Sequence, residues 1–222
     1  MSEYPMEFNI IVETARLNEI EMDLAAGAYM LLTDAVADVN LNNVPGLIAE
    51  IGVRLGFGIF SMMCAGGPTR YYIGIDPYGN ILYHDCNGRV ARHDYTNSMR
   101  NRFLKNIYGW TETTGIQFSL FNMEDTEFFT RFDDGILHYS NEKILETQYA
   151  VVHIDGPHEL ESVNLTTNWF IPRVPVGGYL VYDNVNHYNH SIIDGLLIEC
   201  GFEQVKEISF KRSYIRRSLH VS

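Results

Sequence analysis

The chain has 222 residues, of which 46% are hydrophobic and 20% are charged, as expected for one globular domain with a large core. Its formal net charge is −12, so its average surface repels phosphate backbones and a nucleic-acid partner is not expected. Three widely separated cysteines without a Cys-x-x-Cys pair favour a reducing, cytoplasmic location. The amino terminus lacks the order of a signal peptide, and no apolar run reaches membrane-spanning length, so no membrane partner is expected.

The first part of the chain carries a helical pattern. Between residues 13 and 40 apolar side chains recur every three or four positions, which predicts one long amphipathic helix. We therefore expect residues 1–45 to form a helical segment that packs on a core domain of residues 46–222. The apolar face of this helix also offers a surface for a homo-oligomer.

A short apolar run and a glycine-rich turn follow. Residues 47–51 predict a buried strand, which contains Glu50 and leads into Gly52, Gly56 and Gly58 and then into a helix. A strand, a glycine-rich turn and a helix form the nucleotide-binding half of a doubly wound sheet, because glycines admit a ligand close to the backbone. A second strand at 71–75 ends in Asp76, whose carboxylate can accept hydrogen bonds from both hydroxyls of a ribose.

Further strands alternate with helices. Residues 77–93 lack periodicity and predict a long loop that folds over a ligand or lies on the surface. A helix at 96–108 precedes a third strand at 116–121, and Asn122, Met123 and Glu124 at its end are placed to flank an adenine. A helix is predicted at 126–132.

The second half completes the sheet. The remaining predicted elements are strands at 149–154 and 177–182, a crossover helix at 159–170, a helix at 191–200, and closing strands at 202–208 and 213–221. The basic residues between 206 and 217 are expected on a solvated strand face. The whole pattern predicts a Rossmann-like α/β fold with a seven-stranded, mostly parallel sheet flanked by helices.

Three motifs in this order resemble a known family. They are Glu50-Ile51-Gly52 with Gly56 and Gly58, then Asp155-Gly156-Pro157-His158, then Pro175-Val176-Gly177-Gly178 before a strand ending in Asp183-Asn184. The set resembles class I S-adenosylmethionine-dependent methyltransferases, in particular the macrocin-type small-molecule and sugar O-methyltransferases. The resemblance implies that S-adenosylmethionine is held by Glu50, Gly52, Gly56, Gly58, Asp76, Asn122, Met123, Glu124 and Asp155.

The same resemblance implies a metal and a catalytic pair. In that family acidic residues at two strand ends hold Mg²⁺, and the matching positions here are Asp155, Asp183 and Asn184. Pro157 and Asn184 stand where the family has acidic residues, which lowers the negative charge of the site. Asp155 and His158 are the candidate catalytic residues, with His158 as general base or, alternatively, as a residue that packs at the start of the crossover helix.

Three functions remain open at this point. The first is O-methylation of a small hydroxylated acceptor such as a sugar or glycoside. The second is a nicotinamide-dependent oxidoreductase, although Ser61 stands where a dinucleotide fingerprint has its third glycine. The third is a cofactor-binding protein of the same fold without catalysis.

Overall fold

The computed structural model describes residues 6–22, 26–79, 83–84, 90–91, 95–140 and 142–219. The helices are α1 (Met6–Leu17), α2 (Met30–Leu41), α3 (Phe57–Gly66), α4 (Asn97–Thr114), α5 (Asp125–Arg131), α6 (Leu160–Phe170) and α7 (Ser191–Glu199). The strands are β1 (Leu47–Ile51), β2 (Tyr71–Ile75), β3 (Tyr83–His84), β4 (Val90–Ala91), β5 (Gln117–Phe121), β6 (Ile136–Tyr139), β7 (Lys143–Glu146), β8 (Tyr149–Ile154), β9 (Tyr179–Tyr182), β10 (Phe202–Ile208) and β11 (Lys211–Arg216).

Seven of these strands form one sheet in the order β10-β11-β9-β8-β1-β2-β5. The five strands from β9 to β5 are parallel, and the terminal hairpin of β10 and β11 joins β9 in antiparallel fashion. The predicted fold class is therefore confirmed. Strands β1 and β8 are the point at which the chain changes its winding direction, and ligands of open α/β sheets bind in the crevice there.

Both faces of the sheet are covered. Every residue of β1 and β8 is buried, which explains why these strands carry nearly continuous apolar runs, with Glu50 and His153 as the polar exceptions, instead of an alternating pattern. One face packs on α1 to α4 through side chains such as Leu32, Phe60 and Ile107, and the other packs on α5 to α7 through Phe128, Phe170 and similar residues. The division of the chain at residue 45 stays a prediction, although α1 and α2 contribute to the same core cluster as β1.

The predicted single helix over 13–40 is wrong. Helix α1 ends at Leu17, because Glu19 has a φ of 56° and the Ile20 N–H bonds back to the carbonyl of Ala15 at 2.9 Å. This is the Schellman arrangement, in which a left-handed residue closes a helix and a hydrophobic residue follows it. A 3₁₀ turn at Ala26–Tyr29 then leads into α2. Periodicity alone did not reveal the break, since the apolar spacing continues across it.

Other boundaries shift by smaller amounts. Helix α4 extends to Thr114, six residues beyond the prediction, and the last strand begins at Lys211 instead of 213. The hairpin of β6 and β7 lies in a part of the sequence for which no element was predicted. Most of the predicted loop at 77–93 lies outside the described residues. No helix in the described ranges has both the length and the apolar character needed to cross a membrane.

Candidate functional site

The site lies at the carboxyl ends of the parallel strands. The register pairs Ile51 with Ile154 and Ile154 with Tyr182, so the next residues Gly52, Asp155 and Asp183 stand in one row. Strand β11 runs the other way and pairs Arg212 with Tyr182. Its first residue, Lys211, therefore reaches the same edge at which the parallel strands end.

Two cavities meet at this edge. The larger one has a volume of about 450 Å³, and its wall includes Asp76, Glu124 and Ser162. The smaller one has a volume of about 240 Å³, and its wall includes Glu50, His158 and other polar residues. Gly52, Tyr95 and Asp155 line both cavities. The larger volume falls within the roughly 300–1,000 Å³ typical of small-molecule sites.

Asp76 has an oxygen without a partner. Its side chain is fully buried, and its Oδ2 accepts a hydrogen bond from the Arg54 N–H at 2.9 Å. Oδ1 has no hydrogen-bond partner among the described residues, although it is buried beside the larger cavity. Burial raises the pKa of Asp76 to about 7, although the backbone N–H groups of Arg54 and Val53 act in the opposite direction. An orphaned carboxylate oxygen of this kind is costly, so it needs a donor such as a ligand hydroxyl.

The glycines allow close approaches of polar groups. Gly52 has a φ of 83°, and a Cβ there would lie 2.1 Å from the carbonyl oxygen of Asp155. A Cβ on Gly58 would lie 1.8 Å from Glu50 Oε1. Gly56 begins α3 in the left-handed conformation and faces the ring of Phe103. All three line the smaller cavity, yet packing within the protein already demands that they be glycine.

Glu50 forms the start of a buried chain of polar groups. Its Oε2 accepts from the Ile59 N–H at 2.8 Å, and its Oε1 lies 2.7 Å from His153 Nδ1. His153 Nε2 lies 3.0 Å from Lys211 Nζ. Because an ammonium can only donate, Nε2 accepts and Nδ1–H donates to Glu50, which agrees with burial lowering the pKa of His153. Burial, opposed in part by the charge of Lys211, raises the pKa of Glu50 to about 8.

Asp155 and Asp183 form a coupled carboxyl pair. Lys211 Nζ lies 2.9 Å from Asp183 Oδ2 and 3.7 Å from Asp155 Oδ2. Burial and the nearby Asp183 raise the pKa of Asp155 well above its ordinary value despite Lys211. Burial also acts on Asp183, but the Lys211 charge and a hydrogen bond from Asp155 outweigh it, so the pKa of Asp183 falls.

His158 and Asn184 close the far side of the smaller cavity. The Asn184 side-chain amide lies 2.9 Å from His158 Nε2, and Asp155 Oδ1 lies 3.8 Å from the same nitrogen. Burial lowers the pKa of His158 to about 4, so its ring is neutral near pH 7. Asn184 has a φ of 51°, a left-handed conformation that Asn tolerates better than most residues.

The three residues predicted to flank an adenine separate in the structure. Glu124 lines the larger cavity. Asn122 instead ties the chain together, donating to the carbonyls of Asp76 at 3.2 Å and Tyr78 at 3.1 Å. Met123 packs against the core on the α5 side of the sheet. Neither Asn122 nor Met123 lines either cavity, and their direct roles in binding stay predictions.

The predicted magnesium site does not fit these residues. Mg²⁺ requires oxygen ligands at about 2.0–2.1 Å, in near-octahedral geometry. Asp183 and Asp155 already face the Lys211 ammonium, and Asn184, whose side-chain N–H donates to His158, offers an uncharged oxygen in place of a carboxylate. Glu50, His153 and Asp155 also offer ligand atoms within 4.8 Å of one another, but both ring nitrogens of His153 are taken. Among the described residues, the two carboxyl groups at this edge that could bridge a divalent cation, Asp155 and Asp183, both face Lys211.

Lys211 is the site residue that the sequence prediction missed. The basic residues between 206 and 217 were expected to face solvent, and Lys206 and Arg217 do, but Lys211 is 0% exposed and Arg216 is buried. The available signal was topological. A closing antiparallel strand starts at the edge where the parallel strands end, so a lysine at that start lies near their terminal carboxylates.

A family model described as a methyltransferase domain matches residues 49–185. Among curated proteins, EST/SMG-like protein 2 of Saccharomyces cerevisiae is 32% identical over 81 residues. That match covers 36% of this chain, and this chain spans only 6% of that protein's length.

Solved structures share the fold at low sequence identity. The O-methyltransferase NovP is 18% identical, with a TM-score of 0.59 over 86% of this chain and 79% of its own. TomG of Streptomyces achromogenes, an O-methyltransferase in complex with SAM, is 10% identical, with a TM-score of 0.59 over 98% of this chain and 92% of its own. CalS11, a TDP-rhamnose 3'-O-methyltransferase, is 16% identical, with a TM-score of 0.53 over 97% of this chain and 88% of its own.

Proposed function

The chain belongs to the methyltransferase domain family, and we propose that this enzyme transfers a methyl group from S-adenosylmethionine to a hydroxyl oxygen of a small acceptor. The observation that carries the proposal is the buried Asp76, which has one oxygen bonded and one without a partner at the wall of the larger cavity. A ribose hydroxyl supplies the donor that the second oxygen lacks. The larger cavity would then hold the adenosine.

The reacting end of the cofactor is assigned to the junction of the two cavities. Gly52 and Asp155 line both, so a ligand that extends from the larger to the smaller cavity passes over them. S-adenosylmethionine supplies an electrophilic methyl group on a sulfonium. The smaller cavity would receive its amino-acid part together with the acceptor, because Glu50 and Arg54 add polar groups to that wall.

The acceptor must lose a proton as its oxygen gains the methyl group. His158 Nε2 is the acceptor that we assign to that proton, because its ring is neutral near pH 7 and it lines the smaller cavity. Burial lowers the pKa of His158 to about 4, which makes it a weak base in the absence of an acceptor. In the acceptor complex the hydroxyl would replace the Asn184 amide as the donor to this nitrogen. Asp155 Oδ1, 3.8 Å from Nε2, would lie beside the N–H that forms there. Positioning of the hydroxyl supplies much of the remaining rate.

A sugar or glycoside is the acceptor class that we infer. Two structural neighbours, NovP and CalS11, are O-methyltransferases, and CalS11 is a methyltransferase of TDP-rhamnose, a sugar nucleotide. The polar wall of the smaller cavity, with Glu21, His158 and Asn184, supports a hydroxylated molecule over an aromatic one. A cytoplasmic location and self-association remain further proposals.

Calorimetric titration with S-adenosylhomocysteine tests the cofactor assignment, with NAD titrated in parallel. We expect S-adenosylhomocysteine to bind with a Kd on the order of micromolar and NAD not to bind. Asp76→Ala should weaken binding at least about tenfold, because a donor pair loses its acceptor. Asp34→Ala removes an exposed carboxylate that pairs with Lys206 and serves as the matched control.

Three results would contradict the proposal. If a folded protein does not bind S-adenosylhomocysteine, the methyltransferase proposal is refuted. NAD binding that depends on Asp76 would favour the oxidoreductase. Binding without any methyl transfer to sugars, phenols or catechols would favour a cofactor-binding protein without catalysis.

A further inference from the structure

Lys211 is a charged residue buried inside the site. Its side chain is 0% exposed, although lysine is almost never fully buried without partners. It follows the turn between β10 and β11 and contacts Asp155 and Asp183, which line the smaller cavity, but it does not line that cavity itself. A buried ammonium is costly to desolvate, so its retention there requires compensating groups.

Those groups match the donor capacity of an ammonium. Asp183 Oδ2 lies 2.9 Å from Nζ, and His153 Nε2 lies 3.0 Å from it. The ring of Tyr29 stands 4.4 Å from Nζ and offers its negative face, while Asp155 Oδ2 lies at 3.7 Å. Nζ thus has two partners within hydrogen-bond distance and two more nearby, on different elements, which fixes its position.

The ammonium stands where a divalent cation would need its ligands. A cation bridging Asp155 and Asp183 would share their oxygens with Nζ and would lie within a few ångströms of a positive charge. The same contact orients Asp155, because Oδ2 faces Lys211 whereas Oδ1 lies toward His158.

We propose that Lys211 is a built-in cation that replaces the divalent metal at the carboxyl pair and makes this site metal-independent. It acts as a positioning residue, since it touches Asp155 and Asp183 and not the reacting atoms. Its consequence for turnover rests on the proposed function. The exclusion of metal does not, and it can be measured without any acceptor.

Binding of Mn²⁺, followed by the loss of the free-ion signal in electron paramagnetic resonance, tests the proposal on the full chain. The wild-type protein should leave the signal unchanged at millimolar metal. Lys211→Met should gain one Mn²⁺ per chain, with a Kd at least about tenfold below the highest metal concentration used, because the carboxyl pair loses its counter-charge. Adding Asp183→Asn to Lys211→Met should abolish the gain. Lys206→Met removes an exposed lysine of the same hairpin and should gain no metal.

Each outcome decides for or against the proposal. One Mn²⁺ per wild-type chain, lost in Asp183→Asn, would overturn it. A folded Lys211→Met or Lys211→Gln protein without the gain would overturn it as well, and the wild-type measurement stands even if both variants unfold. Titration with S-adenosylhomocysteine separates the two proposals, because its failure removes the proposed function and leaves the metal result intact.

Discussion

The Gly58→Ala substitution probes the buried chain that supports the site. A Cβ at this position would lie 1.8 Å from Glu50 Oε1 and 3.2 Å from His153 Nδ1. Glu50 cannot keep its place, since its two oxygens are held at 2.8 Å by the Ile59 N–H and at 2.7 Å by His153. The added methyl group therefore strains the hydrogen bonds that link Ile59, Glu50 and His153, or it breaks one of them.

The cost can be worked from these contacts. Inserting a methyl group into a packed core costs about 1–3 kcal/mol, and a buried polar group deprived of its partner costs about 1–3 kcal/mol more. The better helix propensity of alanine returns up to about 1 kcal/mol. We expect a net loss of roughly 3 kcal/mol in the free energy of unfolding, which lowers Tm by about 6–12 °C for a chain of this size.

Thermal and urea unfolding measure the loss. Gly195→Ala is the matched control, because Gly195 is an exposed glycine in α7 with nothing within 4 Å of an added Cβ, and it should stabilise by about 0.5–1 kcal/mol. Glu50→Ala should cost less in the Gly58→Ala background than alone, with a coupling of at least about 1 kcal/mol. If the Gly58→Ala protein is as stable as wild type, the close packing of Gly58 against the Glu50 carboxylate is refuted.

Two further predictions concern other parts of the fold. The pKa of Asp76 is raised to about 7, and hydroxyl donors require its ionised form. The Kd for S-adenosylhomocysteine, measured by calorimetry, should therefore rise about tenfold for each pH unit below pH 7. This pH dependence should be absent in Asp76→Asn. Arg70 donates to the carbonyls of Val39 at 3.0 Å and Val44 at 2.6 Å, so Arg70→Lys should cost about 2–4 kcal/mol in urea unfolding, whereas the exposed Arg102→Lys should cost little.

The sequence was sufficient to predict the sheet because local pattern and topology agree there. Continuous apolar runs such as 149–154 can be buried strands only in a sheet covered on both faces, and the structure has that strand with the same bounds. The end residues Asp76, Asp155 and Asp183 follow from the same rule, since parallel strands end at one edge. Both cavities have walls from this set.

Distances between side chains were beyond the same reasoning. A glycine at position 58 can serve a ligand contact or can leave room for the Glu50 carboxylate, and the sequence does not distinguish these two reasons. The structure shows the second one. The break after Leu17 depends on one residue, Glu19, that adopts a left-handed conformation without being glycine. Asn122 was placed correctly at a strand end, but its amide turns back to the chain instead of the cavity.

The terminal hairpin explains why the site differs from the expected metal centre. Parallel strands begin at the edge opposite the ligand, so none of β1, β8 and β9 can deliver its first residue to Asp155 and Asp183. The antiparallel β11 can, and its first residue is Lys211, 2.9 Å from Asp183. A cation carried by the chain needs no free ion to balance the carboxyl pair, and it stays in place when ligands leave. The substitution of Asn for an acidic residue at 184 is consistent with this, because a single positive charge balances fewer carboxylates than a divalent ion.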